Sequence, residues 1–188
     1  MIVSVKSRQR IIDHGEVFTP PALVNDMLDL VAHECERIES RFLEPACGDG
    51  NFLAEVLRRK LLTVDKRHAH NRDKWERDAI LSVSSLYGID LLADNIAACG
   101  SRLLNDLREA HQKSFKSPLP HEAARAVAYI LSKNVVQGDA LTLRTATADR
   151  SFSPNGRWST AQCSNAATSP TITCSNTLTS LTCRCSAT

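Results

Sequence analysis

The 188-residue chain lacks the glycine patterns of the common nucleotide loops: neither G-x-G-x-x-G of dinucleotide folds nor G-x-x-x-x-G-K-[ST] of P-loops occurs in it. No signal peptide is expected, because Met1 to Asp13 is basic and short of an apolar core, and no run is long enough to span a membrane. A cytoplasmic, reducing location without a membrane partner is expected. An excess of one charge is also missing. Lys and Arg number 23 against 21 Asp and Glu, and a net charge of +2 is too small to predict nucleic-acid binding by itself. The cysteines form no C-x-x-C pair, and Cys163, Cys174, Cys183 and Cys185 lie in a tail without histidine, which argues against zinc or a disulfide framework. His68 and His70 form an i, i+2 pair, and two histidines do not make a metal site.

What is present is concentrated in Arg41-Phe42-Leu43-Glu44-Pro45-Ala46-Cys47-Gly48-Asp49-Gly50-Asn51-Phe52-Leu53. The segment reads as a buried strand, a tight glycine turn and the start of a helix. Gly48 and Gly50 let backbone N–H groups approach a ligand with no side chain in the way. The helix begins at about Asn51 and carries Phe52, Leu53, Val56, Leu57 and Leu61 on one face. Cys47 reads as packing rather than a nucleophile, since no base is identifiable near it. Phe52 reads equally as core or as a ligand neighbour. In an open α/β sheet, ligands sit outside the carboxyl ends of the strands, and Glu44, Asp90 and Asp139 fall at or near three such ends. An acid after a second strand can accept two ribose hydroxyls, and a carboxylate suits a sulfonium's positive charge. The competing reading for each is a solvated or helix-capping carboxylate.

Glu44-Pro45-Ala46-Cys47-Gly48-Asp49-Gly50-Asn51-Phe52 resembles the S-adenosylmethionine loop of amino-methylating DNA methyltransferases, [D/E]-P-A-C-G-x-G-x-[F/L]. Three further segments follow the family's order. His14-Gly15-Glu16-Val17-Phe18-Thr19-Pro20-Pro21 resembles the Phe-Thr-Pro element that closes over the methionine end of the cofactor. Tyr87-Gly88-Ile89-Asp90 resembles the second strand, whose acid takes the ribose hydroxyls, and Asn134-Val135-Val136-Gln137-Gly138-Asp139-Ala140 the third, whose Gly-Asp borders the adenine. The match covers about residues 8 to 143 and is most similar to adenine-specific (N6) methyltransferases of restriction-modification systems. The resemblance implies S-adenosylmethionine as cofactor, DNA as partner of the intact enzyme, and Thr19, Pro20, Glu44, Cys47, Gly48, Gly50, Asp90 and Asp139 as residues bordering the cofactor.

The family's catalytic element, [D/N/S]-P-P-[Y/F], is not in the chain; its only Pro-Pro is Pro20-Pro21. In the family, that element accepts hydrogen bonds from the adenine amine and stacks on the flipped base. No catalytic residue is therefore assigned, and the chain is expected to be inactive by itself, an amino-terminal, truncated or frameshifted part of the enzyme. The alternatives are a non-catalytic cofactor-binding module completed by another subunit, and a methyltransferase acting on RNA or protein.

The expected fold class is α/β, a Rossmann-like methyltransferase fold with an incomplete parallel sheet. Its elements are a helix from Pro21 to about Arg37, a strand over Phe42 to Pro45, a helix over Asn51 to Leu62, a solvated connector over Asp65 to Lys74, and a helix through Trp75, Ala79, Ile80 and Val83. A strand over Leu86 to Asp90 follows, then a helix from about Leu92 to His111 broken by Pro118 and Pro120, a helix through Ala126, Val127 and Ile130, and a strand over Val135 to Gln137. Helices between every pair of strands imply parallel pairing with right-handed crossovers, and an open edge and uncovered helix faces predict poor solubility. Two parts are expected: 1–143, a partial methyltransferase domain, and 144–188, a Ser/Thr/Cys-rich tail. From Thr145 onward Asp149 is the only acid, and such a stretch is expected to be disordered. Reading its codons one nucleotide earlier, a permitted codon choice for Ser153 to Ser180 spells a Trp-Ser pair, a basic run and an amphipathic helical stripe. A frame change between about Leu143 and Ser153 is the expectation that follows.

Overall fold

A computed structural model of the protein describes residues 10, 12–13, 16–17 and 19–142, and the backbone of 144–145, 150–153 and 157–160. Its centre is a parallel sheet of three strands: β1 (Phe42–Glu44), β2 (Leu86–Asp90) and β3 (Val135–Asp139). β2 lies between the other two, with Phe42 opposite Leu86, Glu44 opposite Gly88, Gly88 opposite Val135 and Asp90 opposite Gln137. Because side chains alternate along a strand, Phe42, Leu86 and Val135 share one face and meet the main apolar cluster, which includes Leu53, Leu57, Leu103 and Leu107. The protein is α/β: α3 (Asn51–His68) and α4 (Arg72–Ser84) join β1 to β2, and α5 (Ala93–Phe115) and α6 (His121–Asn134) join β2 to β3.

The expected Pro21–Arg37 helix is two helices, α1 (Pro21–Asp29) and α2 (Ala32–Cys35). At Val31 the backbone leaves helical geometry, with φ −122° and ψ 29°. Val24 and Leu28 of α1 and Cys35 and Ile38 beyond the break reach one core, while Leu23, Met27 and Leu30 stay exposed.

Asp65 to Lys74 is solvated over most of its length, as expected, but it is largely helical and Asp65 and His68 are half-buried. α3 runs on to His68 and α4 begins at Arg72, because the charged residues find partners in the fold. The Trp75 indole N–H donates to Asp65 Oδ1 at 2.6 Å, the Ser114 hydroxyl donates to the same oxygen at 2.8 Å, and His68 Nε2 lies 2.7 Å from Asp78 Oδ2. Lys66, Arg67 and His68 suit the negative end of the α3 dipole. Asn71 caps α4, its side chain accepting from the Lys74 N–H at 3.0 Å. α5 runs one turn past His111 and ends at Lys116, whose φ of 54° reverses the chain ahead of Pro118 and Pro120.

At the amino ends of the strands, Lys60 is fully buried. Its ammonium donates to the Ile38 carbonyl at 3.0 Å, to the Ser40 carbonyl and to Ser85 Oγ, and lies 5.2 Å from the centre of the Phe42 ring. These contacts tie α3 to the segments entering β1 and β2. Burial pushes the ammonium down to about 8.

Beyond β3 the sheet continues through three short antiparallel strands, β4 (Arg144–Thr145), β5 (Arg150–Ser153) and β6 (Arg157–Thr160). Asp139 pairs with Arg144 and Gly138 with Thr145, so the sheet crosses the boundary expected at residue 143. The tail expected to be disordered thus has strand backbone over part of 144–160. Pro154-Asn155-Gly156 in the sequence between β5 and β6 is turn-forming chemistry. Residues 161–188, and with them the four tail cysteines, lie outside the described residues. On the other side, β1 has no strand partner among the described residues, and Leu43 on it is exposed.

Candidate functional site

The carboxyl ends of the three parallel strands open into one cleft of about 530 Å³. Glu44, Asp90 and Asp139 are the last residues of β1, β2 and β3, and all three line it. Thr19, Cys47 and Gly48 complete the set of sequence-predicted residues on the wall, with Phe52 beside them. Pro20 and Gly50 are not among the lining residues: Pro20 precedes the first residue of α1 and Gly50 that of α3. Phe18 of the Phe-Thr-Pro element lies outside the described residues.

The loop between β1 and α3 is built on the backbone. Cys47 N–H donates to the Ile89 carbonyl at 2.9 Å, continuing the pairing of β1 with β2, and Gly50 N–H returns to the Cys47 carbonyl at 2.9 Å. Gly48 and Gly50 have φ of 53° and 90°, the left-handed region that disfavours side chains. Their further constraints differ. Gly48 lies on the cleft wall. Gly50 is buried, and a Cβ on it would stand 2.8 Å from Cys99 Sγ. Gly88 is held the same way from the other side: a Cβ there would come 3.0 Å from Cys47 Sγ and 3.1 Å from Leu53 Cδ1. Between these glycines, Cys47 and Cys99 are buried and share a hydrogen bond, which together with burial pushes the Cys47 thiol far up. It remains a thiol, in keeping with a packing role.

Each strand-end acid has its own setting. Asp90 accepts from the Gly48 N–H on Oδ2 at 2.9 Å, and from the Leu92 N–H at 2.9 Å and the Asn95 side-chain amide at 3.2 Å on Oδ1. Oδ2 thus keeps acceptor capacity toward a ligand hydroxyl. Asp139 Oδ1 accepts from the Leu141 N–H at 2.9 Å, a local turn bond of the capping type. Glu44 accepts one long bond from the Ala46 N–H, at 3.3 Å, and burial raises its carboxyl above the ordinary range. Capping and cleft lining therefore coexist at Asp90 and Asp139.

Two further polar residues stand on the wall, Glu16 from within the Phe-Thr-Pro segment and Asn95 with no motif signal. Glu16, with its side chain 8% exposed, adds a fourth carboxylate to the cleft. Asn95, 1% exposed in the first turn of α5, donates to Glu16 Oε1 at 2.7 Å as well as to Asp90. Arg10 donates to Glu16 at 2.9 Å, to Asp94 at 2.9 Å and to Asn95 Oδ1 at 3.4 Å, fastening the stretch before α1 onto α5. A polar residue five places after a strand end was the only available hint of Asn95.

The wall is thus acidic at four points and apolar at Phe52, Leu91 and Leu92, while the N–H groups of Cys47, Gly48 and Gly50 are bonded within the fold. Such a site suits an elongated ligand with hydroxyls, an apolar flat part and positive charge. Among the described residues no group of three or more His, Cys, Asp or Glu side chains is arranged to hold a metal, and no helix is long and apolar enough to cross a membrane. Compared with models of protein families, with curated proteins and with solved structures, the chain matches none of them.

Proposed function

We propose that the cleft binds S-adenosylmethionine, and that the chain is the cofactor-binding part of a site-specific, adenine-specific DNA methyltransferase of the restriction-modification type. The observation that carries the reading is the convergence of three strand-end acids and the Gly48 turn on one cleft. The resemblance was drawn from segments far apart in sequence, and those segments meet at one place.

The residues fit the cofactor's chemistry. Asp90 Oδ2 offers an acceptor to ribose hydroxyls, Leu91, Leu92 and Gly138 offer a surface to an adenine ring, and Glu44 and Asp139 offer negative charge to a cation. When bound, the cofactor supplies an electrophilic methyl group. The protein's own part is to hold and orient it with the strand-end carboxylates and the turn. The chain has no [D/N/S]-P-P-[Y/F] segment, so the proposed role of this chain is binding, and orientation of an adenine amine falls to residues it does not contain.

Calorimetric titration with S-adenosylhomocysteine tests the reading. Binding is expected for the protein as it stands and is expected to vanish in Gly48→Val, where a β-branched residue would have to adopt φ of 53° on the cleft wall. No binding by the parent protein, or equal binding by the variant, would remove the assignment.

A further inference from the structure

Asn95 is buried, polar and engaged on every side. Its amide nitrogen donates to Asp90 on one side and to Glu16 on the other, and its carbonyl oxygen accepts from Arg10. One side chain therefore joins the strand-end acid that holds the glycine turn to Glu16, which lines the same cleft from the stretch before α1. The Leu92 N–H shares Oδ1 of Asp90 with Asn95 and the Gly48 N–H takes Oδ2, so the chain of contacts runs from Glu16 through Asn95 and Asp90 to the turn itself.

The geometry points to Asn95 as a positioning residue that couples the seating of the Glu16 segment to the orientation of the Asp90 carboxylate, so that the two walls of the cleft are set together. Asn fits this place and its near-isosteres do not. Its NH2 group has two hydrogens for two carboxylates, whereas an Asp in the same volume would set a third carboxylate against them. With the Glu16 segment seated, Asn95 holds Oδ1 of Asp90 and leaves Oδ2 turned to Gly48 and the ligand. With it displaced, Asn95 loses one of two acceptors and the constraint on Asp90 relaxes. The functional consequence rests on the proposed cofactor reading: a ligand touching both walls is bound more tightly than the separate walls would hold it.

The test reads the coupling without ligand and then with it. Amide hydrogen exchange is measured in the parent protein, Glu16→Ala, Asn95→Ala, Asn95→Asp and the Glu16→Ala/Asn95→Ala double variant. Glu16→Ala is expected to speed exchange at Gly48 and Leu92 by about tenfold, the loss of one charge-assisted hydrogen bond's worth of order, while leaving Leu103 in the core of α5 unchanged. In the Asn95→Ala background the same change is expected to add nothing, and Asn95→Asp is expected to exceed Asn95→Ala. Additive effects, no response of Gly48 and Leu92 to Glu16→Ala, or an equal rise at Leu103 overturns the coupling.

Calorimetry with S-adenosylhomocysteine follows on the same proteins. Each single variant is expected to weaken binding by about tenfold and the double variant by little more, the non-additivity that a shared link produces. Independent, multiplying losses overturn the link. Failure of the parent protein to bind removes the cofactor reading alone, since the exchange data still decide the coupling.

Discussion

The Gly48 N–H donates to Asp90 Oδ2 at 2.9 Å, so the turn after the first strand is held by the residue that ends the second. Two motifs forty-two positions apart are one hydrogen-bonded unit. Their joint dependence is what mutation of either exposes.

Asp90→Asn keeps size and removes one acceptor. Whichever way the new amide turns, its NH2 faces either the Gly48 N–H or the pair of donors from Leu92 and Asn95. A loss of about 1–3 kcal/mol in stability is expected, read as a lower urea midpoint with an unchanged slope. An unaltered midpoint would show that the carboxylate does not hold the turn.

Gly50→Ala meets two separate obstacles, a left-handed backbone and the Cys99 sulfur. The combined loss should be about 2–4 kcal/mol. In a Cys99→Ala background the 2.8 Å sulfur contact is gone, the Cα and Cβ of residue 99 at 3.3 and 3.4 Å and the backbone term remain, and the loss should shrink to about 1–2 kcal/mol. Equal losses in both backgrounds would mean that the sulfur moves aside freely.

The sign of the Lys60 effect follows from its low folded value. The unfolded side chain titrates near 10.5 and the buried one at about 8, so between these values the unfolded state binds more protons. The contribution of Lys60 to stability therefore rises with pH through that window and levels off above it. Urea denaturation at about pH 7 and about pH 10 should show the parent protein gaining on Lys60→Met. The variant strands the Ile38 and Ser40 carbonyls and should be the less stable at both values.

For Glu44 the shift runs upward from 4.5, because burial disfavours the carboxylate. As pH falls, Glu44 gains its proton before an ordinary glutamate would, and the cleft loses a negative charge. If the proposed cofactor binds, preference for its cationic form over the neutral thioether product should therefore decline on acidification, from above the usual carboxylate range. Glu44→Gln should flatten that part of the profile; an unchanged profile would separate Glu44 from the cation's position. Folding has the matching sign, since the native state binds the extra proton and gains stability as pH falls through the window.

Much of this molecule is legible in its sequence where local chemistry and tertiary context agree. β2 spans Leu86 to Asp90 as its composition indicates, and the turn at Gly48 and Gly50 leads into a helix at Asn51. The readings diverge where a distant partner decides. Asp65 and His68 look like solvated charge until Trp75, Ser114 and Asp78 are brought beside them. Leu30 and Val31 extend an apolar stripe in the sequence, yet the helix is interrupted at Val31 and Leu30 stays exposed. The strands after residue 143 show little apolar alternation, and pairing onto β3 supplies what composition did not. In the cleft, strand-end acids announce themselves by position, whereas Asn95 and Glu16 take their meaning from each other.

The two glycines of the turn answer to different judges. Gly50 is kept open by the sulfur of a neighbouring helix, a demand that exists whether or not anything ever enters the cleft. Gly48 is on the wall that a ligand would touch. A descendant of this chain that had given up its ligand would thus be freer to drift at position 48, toward residues such as Asn that tolerate a left-handed backbone, and still bound to glycine at position 50. Among diverged copies, residue 48 would record whether the binding function was still under selection, and residue 50 only whether the protein still folded.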